Sequence, residues 1–472
     1  MILSDIIAAI KGNLIQGKDD ISIRSISTDS RKISQGELFI AIRGERFDGH
    51  DFIEGAITKG AIAVIVDNIH KLSAQRIPSN ISVVSVKNSI RALGDIANWY
   101  RRLLNPFVIA ITGSTGKTTT KEILARILET YAPTHFTKEN YNNLIGLPLS
   151  VLETNKDHRF SVLEMGMNSP EEIQRLTEIA EPDLGIITNV GPAHIEAFGS
   201  MEGVLSAKLE LIKAIRPYCP TIIDGDNQEL VKKAKSYLKP LVRIGLLQDN
   251  DHVITIHPNS NPPRVILFSN INKDTYEFTF NIPVFTYLRN AATACSASIV
   301  IGIPEKYIQE GLNNFRGVKR RFEVIKLSTS SYLVDDSYNA NPLSLYQGLQ
   351  NIKRLFGKFN IILCLGDMLE LGNHSNGYHK QVGEWISEIN PGYVVLLGDY
   401  SEIMMKSALN FGVSKNIVTI ATDIDDAYNK IIGLDISNSV IYIKGSNRTK
   451  LYQLADKIKE SLTNFGGRPF DL

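Results

Sequence analysis

The run from residue 107 to residue 131 constrains the fold more than any other part of the chain. An apolar stretch, Phe107-Val108-Ile109-Ala110-Ile111, meets the polar loop Thr112-Gly113-Ser114-Thr115-Gly116-Lys117-Thr118-Thr119. The loop opens a helical pattern with Ile123, Leu124, Ile127, Leu128 and Tyr131 on one face. A strand with no polar alternation must be covered on both faces, which a parallel sheet flanked by helices achieves. Similar short apolar runs occur at 161–163, 185–187, 361–365, 393–397 and 440–443, with helical patterns between them. The expected class is therefore α/β.

The loop also has a chemistry. Gly113 and Gly116 let backbone N–H groups approach phosphate oxygens, and the helix N-terminus adds a favourable dipole. Lys117 can reach the β- and γ-phosphates of a nucleotide, and the Thr118 hydroxyl can ligate Mg²⁺. Ile111 stands where the commonest form of this loop has its first glycine. Ligands of open α/β sheets collect at the carboxyl ends of strands. Glu164 and His194 both follow strand-like runs, which makes them candidates for metal or phosphate. Lys208 lies in the helical pattern Ser206-Ala207-Lys208-Leu209-Glu210, and its spacing alone reads as a surface lysine.

At 472 residues the chain exceeds what one core usually supports, and three divisions are expected. Residues 1–105 form a small α/β unit ending in a helix over 89–104 and a break at Asn105-Pro106. Residues 106–316 carry the loop, with antiparallel strands appended over 249–280. Residues 317–472 form a further strand–helix alternation. The 51 basic and 50 acidic residues leave a net charge of +1, which argues against a nucleic-acid partner or a polybasic membrane surface. Cys219, Cys295 and Cys364 are scattered and read as reduced thiols. The N-terminus has no basic, apolar leader pattern, and no stretch has membrane-spanning length, so a cytoplasmic enzyme is expected.

The Thr-Gly-x-x-Gly-Lys-Thr-Thr loop resembles that of the Mur ligase family, and the resemblance extends over essentially the whole chain. It is carried by Ser27-Thr28-Asp29-Ser30-Arg31, Phe47-Asp48-Gly49-His50-Asp51-Phe52, Thr137-Lys138-Glu139-Asn140-Tyr141-Asn142-Asn143, Glu164-Met165-Gly166-Met167 and Lys444-Gly445-Ser446. Two strings, Asp335-Asp336-Ser337-Tyr338-Asn339-Ala340-Asn341-Pro342 and Gly366-Asp367-Met368-Leu369-Glu370-Leu371-Gly372, resemble the members that add D-alanyl-D-alanine. The resemblance implies a three-domain architecture: a UDP-sugar-binding first domain, a central P-loop domain with a parallel sheet, and a Rossmann-like C-terminal domain that binds the dipeptide. It implies an ATP-dependent ligase that joins D-alanyl-D-alanine to UDP-N-acetylmuramoyl-tripeptide through an acyl phosphate, acting as a monomer.

Residue roles follow from the same resemblance. Ser30 and Arg31 would hold the uridine diphosphate. Asn140, Asn142 and Asn143 would line the junction of nucleotide and muramoyl-peptide. Gly113, Ser114, Thr115, Gly116, Lys117, Thr118 and Thr119 would cradle ATP, with Asn290 beside the adenine and Arg321 and Asp336 reaching the nucleotide from the third domain. Tyr338, Asn339 and Asn341 would shape the dipeptide site. Thr118, Glu164, His194 and Lys208 would serve Mg²⁺, with Lys208 carbamylated by CO₂, which reverses its reading as a surface lysine. Two positions depart from the family's usual pattern. The Gly-x-His-Asn-like run before Asn290 is replaced by Tyr287-Leu288-Arg289, and Arg320 replaces a glycine before Arg321. Other readings from the residues are another ligase of the family or a P-loop nucleotide switch. The two strings argue against another ligase of the family, and a switch would hydrolyse nucleotide without an acyl acceptor or an amine.

Overall fold

Every residue of the strand Phe107–Thr112 except Phe107 is buried, as its unbroken apolar run requires. It pairs in parallel with Phe160–Glu164 on one side and Leu184–Ile187 on the other. A computed structural model describes residues 1–44, 46–72, 76–138 and 140–462. Glu139 of the motif quoted above and residues 463–472 lie outside them.

The described residues form three sheets. The central one has nine strands, with Phe107–Thr112 among its parallel members. At one edge, His252–His257, Arg264–Ser269 and Thr275–Thr279 pair antiparallel in succession, as the alternating pattern over 249–280 predicts. The first sheet has five strands, parallel except for Asn13–Gln16 against Ser82–Ser85. The third has six, parallel except for the edge pair Glu323–Lys326 and Tyr332–Asp335. No helix among the described residues is long and apolar enough to cross a membrane.

The first sheet is tied to the central domain through the helix Ser89–Leu104. Asn88 caps its start by accepting from the Arg91 N–H, and Asn105 ends it in the left-handed conformation at φ 49°. Arg101 on this helix is buried and donates to the carbonyls of Ala180 and Glu181 at 3.0 Å each. These are at the end of the helix Glu172–Ala180, where carbonyls lack intrahelical partners. The third domain meets the central one through a shared apolar cluster that includes Ile123 and Leu288 on one side and Leu345 and Leu349 on the other.

The spacing-based view of Lys208 is overturned. Its helix, Met201–Ala214, also buries Val204, Leu205, Ala207, Leu209, Leu211 and Ile212, so nearly the whole of its middle is covered. Lys208 itself is 1% exposed. A helix covered on most sides has no free polar face, and spacing alone cannot reveal that condition.

Candidate functional site

The Thr112–Thr119 loop sits at the carboxyl end of its strand and wraps over the first turn of the helix Lys117–Tyr131. Gly113 has φ 148°, and a Cβ there would lie 1.9 Å from the Thr188 hydroxyl. Gly116 has φ 78°, and a Cβ there would lie 2.5 Å from Asn290 Oδ1, so its absence lets Asn290 approach the loop. The neighbouring segment 188–191 holds the loop. Asn189 Oδ1 accepts from the Thr115 N–H at 2.9 Å, Thr188 Oγ1 donates to the Thr115 carbonyl at 2.6 Å, and Ser114 Oγ accepts from the Gly191 N–H at 2.9 Å.

Three ionisable groups meet beneath the loop. Lys117 Nζ donates to the Gly113 carbonyl at 2.8 Å. Thr118 Oγ1 donates to Glu164 Oε2 at 2.7 Å, and Asn142 Nδ2 donates to Glu164 Oε1 at 2.8 Å. Burial acts to raise the Glu164 carboxyl, but the charges of Lys117 and Arg321 outweigh it and hold the group below its ordinary value. Burial is also the main reason that Lys117 lies below the usual lysine range. Lys208 is pushed well below that range, first by burial and then by the charge of Lys117. Its Nζ has one long contact, donating to Thr112 Oγ1 at 3.5 Å.

The third domain closes the other side of the cleft. Arg321 Nη2 donates to Thr118 Oγ1 at 2.8 Å, and its guanidinium lies 4.1 Å from the centre of the Tyr338 ring. Asp336 accepts from Lys444 Nζ at 2.8 Å and from the Tyr442 hydroxyl at 2.9 Å. Lys444 also donates to the Asn339 carbonyl at 3.1 Å. Asn341 accepts from the Ser344 N–H and so begins the helix Pro342–Phe356 with a capping box, while its amide reaches the Ser114 carbonyl at 3.5 Å. His194 Nδ1 lies 2.6 Å from Glu370 Oε2, and that bond holds the Glu370 carboxyl below its ordinary value.

These groups line one cavity of about 650 Å³. It takes in the expected residues except Gly113, Asn143, Ser30 and Arg31. Asn143 is exposed and its side chain is used locally, its Oδ1 accepting from the Ile145 and Gly146 N–H groups at the start of a helix. Arg31 lies on the exposed surface of the first domain, and its fork engages Asp29 through two bonds of 2.9 Å. At the far end, Arg289 lies 3.5 Å from Asp224 and 3.3 Å from Asp226, so the departure before Asn290 introduces an ion-paired cation beside that residue. The residue reading did not single out Glu370, Lys444, Tyr442 or Asn189. Glu370 and Lys444 lie in strings it did quote, and Asn189 lies between the strand end and His194.

Among the described residues no three His, Cys, Asp or Glu side chains gather to hold a metal by themselves. The site instead offers one buried carboxylate and one hydroxyl side by side at the phosphate loop. That set fits Mg²⁺, which commonly takes one or two protein oxygens and completes its shell with water and phosphate.

Comparison with known proteins places this arrangement. The Mur ligase family's catalytic domain matches residues 22–107, its middle domain residues 111–298 and its glutamate ligase domain residues 320–447. The UDP-N-acetylmuramoyl-tripeptide–D-alanyl-D-alanine ligase of Bacillus subtilis is 33% identical, with 97% of this chain and 98% of that one covered. The Escherichia coli enzyme of the same name is 30% identical over 98% of this chain and 99% of its own. A crystal structure of MurF from Acinetobacter baumannii superposes with a TM-score of 0.85 at 28% identity, covering 97% of this chain and 98% of that one. MurF from Thermotoga maritima, solved in complex with ADP, gives 0.79 at 26% identity, covering 93% and 98%. The chain belongs to the Mur ligase family.

Proposed function

We propose that the chain joins D-alanyl-D-alanine to UDP-N-acetylmuramoyl-tripeptide at the expense of ATP, releasing ADP and phosphate. The observation that carries this reading is the cleft itself, in which a phosphate loop faces Arg321, Asp336 and the 338–341 segment of another domain. A ligase needs that geometry because a nucleotide, a carboxylate and an amine must meet with water excluded.

The tripeptide carboxylate attacks the γ-phosphorus, the bond to the β-phosphate oxygen breaks, and ADP leaves an acyl phosphate. Carboxylate and triphosphate repel, so Lys117, Arg321 and the N-terminus of the helix Lys117–Tyr131 supply the opposing charge. Thr118, Glu164 and His194 would hold Mg²⁺, which would neutralise phosphate charge. The free amine of the dipeptide then attacks the acyl carbon and phosphate departs. Asn339 and Tyr338 shape its site, and Asp336 with Lys444 braces the segment that bears them.

Lys208 carries a carbamate in the working enzyme. Its neutral amine attacks CO₂, a C–N bond forms and an N–H proton leaves to solvent. The product puts an anion where a neutral amine stood, beside the metal site. Asn290 flanks the adenine, and Asn140 and Asn142 line the junction with the muramoyl-peptide. Ser30 and Arg31 in the 1–105 domain hold the uridine diphosphate, with Arg31 exchanging Asp29 for phosphate oxygens. The 106–316 domain binds ATP and the 317–472 domain the dipeptide. The enzyme acts as a cytoplasmic monomer without nucleic acid.

One assay tests the reading. Phosphate release from ATP is followed with UDP-N-acetylmuramoyl-tripeptide and D-alanyl-D-alanine, together and singly. Sustained release is expected only with both. Equal release without the dipeptide would replace the ligase with a nucleotide hydrolase.

A further inference from the structure

Glu370 lies in the Gly366–Gly372 string, to which the reaction as described gives no task. Its carboxylate crosses from the third domain to Nδ1 of His194 in the central domain at 2.6 Å. The contact is doubled in the backbone, where the Glu196 N–H donates to the Glu370 carbonyl at 3.1 Å. Both residues of the pair have left-handed backbones, with φ 64° at Glu370 and 57° at His194. That conformation costs a non-glycine residue, and it persists where surrounding contacts over-determine it.

Those contacts are present on the third-domain side. His379 is fully buried, and its Nε2 accepts from the Met368 N–H at 2.9 Å. Ser446 Oγ accepts from the Leu369 N–H at 2.8 Å. Asp367 accepts from the N–H groups of Asp399 and Tyr400 at 2.8 and 3.1 Å. Each of the three residues before Glu370 is therefore pinned, and the glutamate is presented on a rigid arm.

A carboxylate against Nδ1 favours the proton on that nitrogen, and in the neutral ring the lone pair then lies on Nε2. Nε2 of His194 makes no hydrogen bond or ion pair among the described residues, and the ring lines the cleft. We infer that Glu370 is a positioning residue: from the third domain it fixes the tautomer and orientation of His194 so that Nε2 faces a divalent cation, and it thereby couples cation binding to docking of that domain. Carboxylate partners of metal-binding histidines do this within one domain. Here the partner arrives from another domain, so the cation site is complete only when the cleft is closed. The inference rests on His194 being a cation ligand, as proposed above.

The test uses the full chain with ADP and Mn²⁺ as a paramagnetic substitute for Mg²⁺, with binding read by electron paramagnetic resonance. Glu370→Ala and Glu370→Met should each weaken Mn²⁺ binding roughly 10- to 100-fold. Glu370→Gln keeps an acceptor and should lose less. Binding of ADP in EDTA should stay within about twofold, because an exposed ion pair contributes little by itself when no cation is there to be held. A merely structural role would move both affinities together. Glu370 is 44% exposed, so the variants should fold, and either of the first two decides the matter if the other does not. Unchanged Mn²⁺ affinity in a folded variant overturns the inference while leaving the ligase reading intact. A wild-type chain that binds no Mn²⁺ even with ADP overturns the metal assignment and this inference with it.

Discussion

Arg321 of the third domain donates to the Thr118 hydroxyl of the phosphate loop at 2.8 Å, and that hydroxyl donates onward to Glu164 at 2.7 Å. The relay joins a cation, a hydroxyl and a buried carboxylate across two domains. The charge of Arg321 is among the causes that keep Glu164 ionised.

Arg321→Ala should therefore lower kcat by about 100-fold, the order seen when one preorganised donor is removed from a charged transition state. Thermal unfolding should change little, because Arg321 packs on Tyr338 at the cleft rather than in the core. Steady-state phosphate release and a melting curve on the same preparation check both. A kcat within threefold of wild type would take Arg321 out of the reaction.

Asn341 and Asn339 separate on stability. Asn341 Oδ1 is occupied as a helix cap, so Asn341→Ala should cost about 1 kcal/mol of stability as well as activity. Among the described residues the Asn339 side chain accepts from the Asn447 N–H at 3.3 Å, a weak bond at the surface. Asn339→Ala should raise the KM for D-alanyl-D-alanine more than that for ATP, with little change in urea midpoint. A change confined to the ATP KM would move Asn339 to the nucleotide site.

The sheets were legible because strands buried on both faces leave apolar runs that few other structures explain, as at 107–111 and 361–365. The phosphate loop was legible because its glycines and lysine are adjacent in the chain. Lys208 was not, since helical spacing does not say what covers each face. Nor were the pairs Glu370–His194 and Lys444–Asp336, whose members belong to separate segments and meet only through tertiary packing. Asn143 had the right type and neighbourhood for a ligand contact, but its side chain is used locally at the helix start.

His135 gives a pH dependence outside the cleft. It is 6% exposed, bonds Ser150 at 3.1 Å, and burial lowers its pKa from 6.5 to about 4. A histidine depressed in the folded state contributes stability that is complete above the unfolded value and is lost as pH falls through the folded one. The window is therefore pH 6.5 down to about 4. At its lower end the loss is about 3 kcal/mol, since protonating a group against its surroundings costs about 1.4 kcal/mol for each pH unit. His135→Phe should flatten this part of the profile. Urea midpoints at pH 7 and 4.5 for both proteins measure it, and parallel slopes would show that other groups govern acid unfolding.

Lys208 is the most demanding case, because a buried amine with one contact at 3.5 Å is costly to keep unless it is used. Burial and the nearby charge of Lys117 hold the amine well below the lysine range. The neutral form that adds CO₂ is thus favoured, and the resulting carbamate faces cations instead of adding to them. In carbon-13 bicarbonate the wild-type chain should show a carbamate resonance that Lys208→Ala lacks. The variant should lose most phosphate release at saturating Mg²⁺ and ATP, because the anion that would face the metal is gone. Its thermal stability should hold or rise, since an amine with little compensation leaves the interior. Acetate should restore part of the activity by placing a carboxylate in the space vacated, whereas chloride at the same ionic strength should not. A structural lysine predicts the reverse: lower stability, no adduct and no rescue. Full activity in Lys208→Ala, or a wild-type chain without the resonance while turning over, would exclude the carbamate.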